Sequence, residues 1–231
     1  MNVYSVIVIA LILLFCLLSV LLIRACDKAN QVDWGGPWLN RIDGLLRLFC
    51  RYYHGLQSTA VDLPKQGAAL VVANHVSGLD PLLMLAASSR RLHFIIAREE
   101  YQRFGLRWLF DKAGCSPVDR DRNPERALRE AIRVLQAGRI VALFPQGGIQ
   151  KPGHPKRVLK AGVVYLAKKI PCPIMTMHIS GIHPRALGKS LPAILIPSSA
   201  QIVGQTPIDC SELDKEACLT ELKNRILPAA T

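Results

Sequence analysis
The stretch AALVVANHVSGLDPLLMLAA, residues 68–87, decides how the chain is read. Residues 68–73 are an uninterrupted apolar run of strand length, the pattern of a β-strand covered on both faces. Residues 82–87 are a second apolar run and read as a helix. Between them stand Asn74, His75, Ser77, Gly78 and Asp80, so a histidine follows a buried strand and a carboxylate comes five positions later. A strand end in an α/β sheet faces the crevice where ligands bind. An imidazole there takes a proton near pH 7 once a second group fixes its tautomer, as a carboxylate does in Ser-His-Asp sites. No serine or cysteine is placed as an obvious nucleophile, which points to a base acting directly on a substrate hydroxyl. A structural reading competes: Asp80 before Pro81 is also a good helix start, and His75 could simply be a loop histidine bonded to backbone.

Outward from this stretch, residues 92–97, 140–144, 172–179, 194–196 and 200–203 read as further strands. A short strand ends at Asp119 and Arg120. Helical patterns cover residues 98–112, 123–137, 160–168 and 214–227, with Pro124 at the start and Gly138 at the end of the second. The alternation predicts an α/β fold: a mixed, largely parallel sheet flanked by helices, preceded by an N-terminal transmembrane helix. Neither an internal repeat nor a second-domain linker is visible.

Residues 3–23 are almost wholly apolar, long enough to span a bilayer core. Arg24 and Lys28 follow and no Lys or Arg precedes, which predicts a single-pass anchor with the catalytic domain facing the cytoplasm. Residues 31–60 carry Trp34, Trp38, Ile42, Leu45, Leu46, Phe49 and Tyr53 at roughly helical spacing among Arg41, Arg47 and Arg51. That pattern suits an amphipathic helix in the headgroup layer or one packed on the core. The expected organisation is therefore an anchor over 1–30, an amphipathic membrane-associated helix over 31–60, and a catalytic domain over 61–231.

Lys and Arg number 29 against 17 Asp and Glu, a formal charge of +12, which implies an anionic partner. With an anchor present, membrane lipids are the simplest such partner. No basic helix or aromatic-basic motif supports nucleic acid. The seven cysteines show no CxxC spacing and no zinc-type cluster, so no metal is expected and the thiols read as reduced.

Several signatures then fall in order. Asn74, His75 and Asp80 match N-H-x-x-x-x-D; Gly114, Val118, Asp119 and Arg120 match a glycine, hydrophobic, D-R element; Phe144, Pro145 and Gly147 match F-P-E-G-T-R. Lys160 and Gly162 match a lysine-glycine element, Ile170, Pro171, Pro173 and Ile174 a proline-hydrophobic strand, and residues 203–208 a V-x-G-x-P-I-like element. Over roughly residues 60–210 the chain resembles the 1-acylglycerol-3-phosphate acyltransferase family of glycerophospholipid acyltransferases. The resemblance implies a catalytic pair, His75 and Asp80, and acceptor-binding groups at Asn74, Arg120, Gln146, Gly147, Gly148 and Lys160. It implies no cofactor, with acyl-CoA or acyl-carrier protein as the donor substrate and a lysophospholipid as acceptor.

The chain departs from the pattern at Gln146, which replaces glutamate, and at Gly148 and Ile149, which replace threonine and arginine. One charge-assisted phosphate contact, of about 1.5–3 kcal/mol, goes with that arginine. Acceptor identity therefore stays open between 1-acylglycerol-3-phosphate and another lysophospholipid or lipid alcohol. Two rivals remain: a lipid hydrolase using Ser77 or Cys115, for which the G-x-S-x-G elbow is missing, and a non-catalytic lipid-binding protein with an eroded site.

Overall fold
The structure is a computed structural model that describes residues 2–59, 61–102, 107–112, 114–118, 124–155, 158–210 and 212–227. In chain order it places α1 (Val3–Ala29), α2 (Pro37–Leu48) running into a π-helical turn (Phe49–Tyr53), β1 (Gln57–Ser58), β2 (Ala69–Ala73), α3 (Asp80–Ala86), β3 (Leu92–Ala97), α4 (Arg98–Tyr101) and α5 (Arg107–Lys112). There follow β4 (Ser116–Val118), α6 (Pro124–Gln136), β5 (Ile140–Leu143), α7 (Gly162–Lys169), β6 (Ile174–Ser180), a 3-10 turn (Leu191–Leu195), β7 (Gln201–Gly204) and α8 (Lys215–Ile226).

All seven strands join one sheet in the order β1-β7-β6-β2-β5-β3-β4. Every pairing is parallel except β6 with β7. The apolar runs explain the middle of this order. All five residues of β2 are buried, with Val71 and Ala73 on one face and Leu70 and Val72 on the other. The first face packs on Leu79, Leu83 and Met84 of the α3 region and on Cys50. The second packs on Leu135 of α6, Leu166 of α7 and Leu222 of α8. Each such side chain, fully buried, contributes about 1.5–3 kcal/mol. Because the strands are parallel, their C-terminal ends open on one edge, and Asn74 and Phe144 leave β2 and β5 there.

Helix α1 is tied to this domain by a helical hairpin with α2. α1 is long and apolar enough to cross a membrane, with a mean hydropathy of 3.5 over its best window. Its end meets α2 where Gly44 lies against the Cys26 backbone; a Cβ on Gly44 would sit 1.9 Å from the Cys26 oxygen. Asn30 donates to Asp43 at 3.0 Å, and Arg41 pairs with Asp27 at 2.9 Å. The buried Arg47 grips Asp43 at 2.6 Å and reaches the carbonyls of Ala86 and Ser88 at 2.9 and 2.8 Å.

Four expectations are corrected. Residues 194–196 form no strand: the chain turns through Leu191–Leu195, where Pro192 lacks a ladder donor, and the Ile194 and Leu195 carbonyls are met by His54 and Tyr53. The helix expected over 98–112 is two short ones, α4 and α5, among the described residues. Helix α2 begins only at Pro37, after an irregular segment with bends. The cysteines are not all reduced: Cys210 and Cys218 form a disulfide, Cα atoms 5.7 Å apart. The Asp214 carboxylate accepts from Ala217 N at the start of α8, setting Cys218 in the first turn beside Cys210.

Gly44→Ala tests the hairpin. Helix propensity favours alanine by roughly 1 kcal/mol, so a clash with backbone must reverse the sign. The variant in detergent is expected to melt at least about 5 °C below wild type by calorimetry, given ~2–4 °C per kcal/mol at this size. An unchanged or raised Tm contradicts the close α1–α2 crossing.

Candidate active site
The loop leaving β2 is fastened before it reaches the histidine. Asn74 is buried and exchanges two hydrogen bonds with the Ile179 backbone: Nδ2 donates to the carbonyl at 2.8 Å and Oδ1 accepts from the amide at 2.7 Å. The amide the resemblance placed among acceptor-binding groups thus clamps β2 to β6.

His75 follows, half-buried, with its side chain 13% exposed. Its ring lies flat on Phe144, centroids 4.0 Å apart and planes at 13°. Nδ1 is 2.8 Å from Oδ2 of Asp80. A carboxylate only accepts, so Nδ1 carries the hydrogen, and in the neutral imidazole Nε2 keeps its lone pair. Among the described residues nothing meets Nε2.

Asp80 is fully buried. Oδ2 also accepts from the backbone N–H of Val76 at 2.6 Å and of Ser77 at 2.9 Å, and Oδ1 accepts from the Ser77 hydroxyl at 2.8 Å. Four donors therefore hold one carboxylate. Asp80 and Pro81 do open α3, but the carboxylate turns back onto the loop instead of capping its own helix. The helix start and the His–Asp pair are one arrangement.

The turn after β5 completes the site. Gln146 is buried, and its Oε1 accepts the His75 backbone N–H. Gln150 N donates to the His75 carbonyl at 2.7 Å, so both backbone groups of the histidine are held from this segment. Gly147 has φ +70, and the Lys160 side chain crosses it so closely that a Cβ would lie 2.6 Å from Cε. Its N–H closes the turn onto Phe144 O at 3.0 Å. Gly148 is half-buried beside it. The loop after β6 braces the histidine loop from the other side, with Gly188 N on Val76 O at 2.8 Å and Gly78 N on Lys189 O at 2.7 Å. Arg120, with Asp119, lies outside the described residues. Among the described residues no three His, Cys, Asp or Glu side chains gather into a metal-binding group.

The site thus brings together His75, Asp80, Gln146, Gly147 and Lys160. Sequence reasoning missed the Phe144 platform and the Ser77 brace; both residues stood in motifs, but nothing in their spacing showed these contacts. Gly114 of the second motif lies at the far end of the sheet, its carbonyl 3.3 Å from His93 Nδ1.

The geometry weakens both candidate nucleophiles. Ser77 is buried, and its hydroxyl donates to Asp80 and accepts from Leu79 N at 3.2 Å. Burial pushes the Cys115 thiol up to about 11. At pH 7 only about one in ten thousand such thiols is the reactive thiolate.

A family profile described as Acyltransferase matches residues 56–180, more than half of the chain, including the loops after β2 and β5 just described. The chain belongs to the acyltransferase family. It is 23% identical over 121 residues to a 1-acyl-sn-glycerol-3-phosphate acyltransferase of Bacillus subtilis, covering 52% of this chain and 59% of that one. It is 26% identical over 155 residues to a protein of the same description from Borreliella burgdorferi, covering 66% and 54%. An uncharacterized protein of Mycobacterium bovis is 30% identical over 147 residues, covering 59% and 40%. The matches thus span under two thirds of these relatives' lengths. The crystal structure of the 1-acyl-sn-glycerophosphate (LPA) acyltransferase PlsC from Thermotoga maritima shares the fold, with a TM-score of 0.63 at 21% identity over 80% of this chain and 77% of that one.

If acyl transfer runs without a protein nucleophile, Cys115→Ala keeps at least half of wild-type turnover and no acylated protein is trapped. Intact-protein mass spectrometry after incubation with a thioester donor makes the check; an acyl adduct lost in this variant reverses the conclusion.

Proposed function
We propose that this chain is a membrane-anchored O-acyltransferase. It moves a fatty acyl group from acyl-CoA or acyl-carrier protein to the free hydroxyl of a lysophospholipid, 1-acylglycerol-3-phosphate in the first place, giving phosphatidic acid. The observation that carries this reading is the His75–Asp80 pair, with Nε2 open at the C-terminal edge of the sheet. Family membership and the descriptions of the relatives support it.

In this reading the acceptor hydroxyl gives its proton to Nε2 as its oxygen bonds to the thioester carbonyl carbon. Asp80 holds Nδ1–H and stabilises the imidazolium. The oxyanion takes the Gly148 N–H, because the Gly147 N–H is spent within the turn. The C–S bond then breaks, and His75 returns the proton to the leaving thiolate. Lys160 across Gly147, together with Arg120, supplies cations for the acceptor phosphate.

α1 and the Trp38, Ile42 and Leu45 stripe of α2, all exposed, support a membrane location. The basic flank at Arg24 and Lys28 supports a cytoplasmic catalytic domain. The Cys210–Cys218 disulfide weighs against that orientation, since such bonds are rare in the cytosol. A different lysophospholipid acceptor is favoured by one observation: Gln146 and Ile149 remove a carboxylate and a guanidinium from the third motif.

His75→Ala in lipid, assayed with labelled acyl-CoA, is expected to lose at least a thousandfold in kcat while keeping its melting temperature. Asp80→Asn should be nearly as severe, because the wrong tautomer is favoured. Near-wild-type turnover by folded His75→Ala would refute the general base.

Gln146→Glu separates positioning from charge. A carboxylate still accepts the His75 N–H but adds a negative charge beside the imidazole, which favours imidazolium. The acid limb of kcat/KM against pH is expected to move upward. A downward shift would contradict the placement of this side chain. Product masses from a panel of lysophospholipids identify the acceptor.

A further inference from the structure
A cavity of about 460 Å³ lies at the end of the sheet opposite His75. Its lining includes Arg90 and Arg91 before β3, His93 within β3, Lys112 before β4 and Arg139 before β5, with Asp33 at the rim. These strands are parallel, so the cavity gathers their N-terminal ends while the catalytic loop sits at the C-terminal ends.

Two of these cations, Arg90 and Arg91, are held in place by carbonyls, and the Asp33 carboxylate, held chiefly by Gly35 N and Asn40, also feels Arg91. Arg90 donates to the carbonyls of Pro64, Gly67 and Gly138, at 2.6, 3.0 and 3.2 Å. Arg91 donates to the Asp33 carbonyl, and its guanidinium lies 5.2 Å from the Trp34 ring centre. These partners are neutral, so each guanidinium is oriented and still charged. Lys112 and Arg139 form no ion pair among the described residues. Asp33 is the single carboxylate among the described lining residues, and its Oδ1 is engaged by Gly35 N and Asn40 Nδ2 at 2.9 and 3.2 Å. Burial lowers the His93 pKa, which leaves that ring neutral at pH 7.

Two held guanidiniums and two further cations, Lys112 and Arg139, against one carboxylate among the described lining residues suit a phosphate group, which guanidinium forks grip bidentately. The position selects the source. Gln31, Val32 and Asp33 line the cavity and follow directly on α1, so on the membrane reading it opens at the headgroup layer. We infer that this cavity is a phosphate-recognition site for the headgroup of an anionic phospholipid, separate from the acyl-transfer site. It rests on the membrane reading for the source of the phosphate alone.

The test uses the full chain in dodecyl maltoside with Trp38→Phe and Trp108→Phe, which leaves Trp34 as a reporter at the cavity rim. Dihexanoyl phosphatidylglycerol, dihexanoyl phosphatidylcholine and inorganic phosphate are titrated separately while Trp34 emission is followed. Phosphatidylglycerol is expected to give a saturable shift that the phosphatidylcholine does not. Lys112→Gln with Arg139→Gln should weaken it at least tenfold, and Lys112→Arg with Arg139→Lys, which keeps the charge, should restore it to within threefold. Equal responses to the two lipids, or unchanged binding in the glutamine variant, would overturn the site. Inorganic phosphate saturating at or below the phosphatidylglycerol concentration would overturn the lipid source. His75→Ala should bind phosphatidylglycerol as wild type does, so this inference and the acyl-transfer reading fail separately.

Discussion
A carboxylate with no exposed surface has to be satisfied or neutralised, and Asp80 is satisfied by four donors supplied by three consecutive residues. An unpaired charge so deep would cost several kcal/mol, whereas each hydrogen bond to it contributes about 1.5–3 kcal/mol. That balance forces residues 75–77 to curl around the start of α3. The curl turns Nδ1 of His75 inward and Nε2 outward. The direction of the His75 ring therefore follows from burying one charge, with little further freedom in the loop.

The loop alone would still be free to swing as a unit. It is held from three directions by chain distant in sequence: Ile179 through Asn74, the β5 turn through Gln146 and Gln150, and the β6 loop through Gly188 and Lys189. Phe144 supplies a flat floor that lets the ring neither tip nor sink. Positioning at this level keeps a base within the few tenths of an ångström that proton transfer needs. The replacement of glutamate by Gln146 is easier to understand in this light, since the contact to His75 needs only an oxygen acceptor, which an amide provides.

What could be read from residues alone follows from distance along the chain. β2, β3, β5 and β6 were legible because strands buried on both faces must be continuous apolar runs. His75 and Asp80 were legible because their contact is local. β1 was not, since Gln57 and Ser58 are exposed and join the sheet only through β7. The apolar residues 194–196 imitated a strand, but their carbonyls are spent on Tyr53 and His54, a partnership across some 140 positions. The disulfide left no trace because a separation of eight residues has no signature without the fold that closes it. Asn74 and Gln146 stood in motifs, yet their clamping contacts span 105 and 71 positions, beyond any motif.

The two ends of the sheet are joined by α2. Near its C-terminal end Arg47 reaches Ala86 and Ser88, close to where β3 begins, and the following turn carries Tyr53 and His54 to the chain that enters β7 beside the end of β6. From Arg47 to Tyr53, about 9 Å at ~1.5 Å per residue, the chain thus passes from the cavity side of the domain to the His75 side. Trp38, Ile42 and Leu45 fall on one side of α2 at helical spacing and stay 75%, 36% and 50% exposed, with Tyr52 beyond them at 76%. Such a stripe is the pattern of helices that lie along a bilayer interface. A domain resting on that stripe would turn both ends of its sheet toward the same leaflet. The opposed strand ends, which in a soluble α/β protein would point to opposite sides, then become two openings on one surface, one basic and one carrying the His75–Asp80 pair.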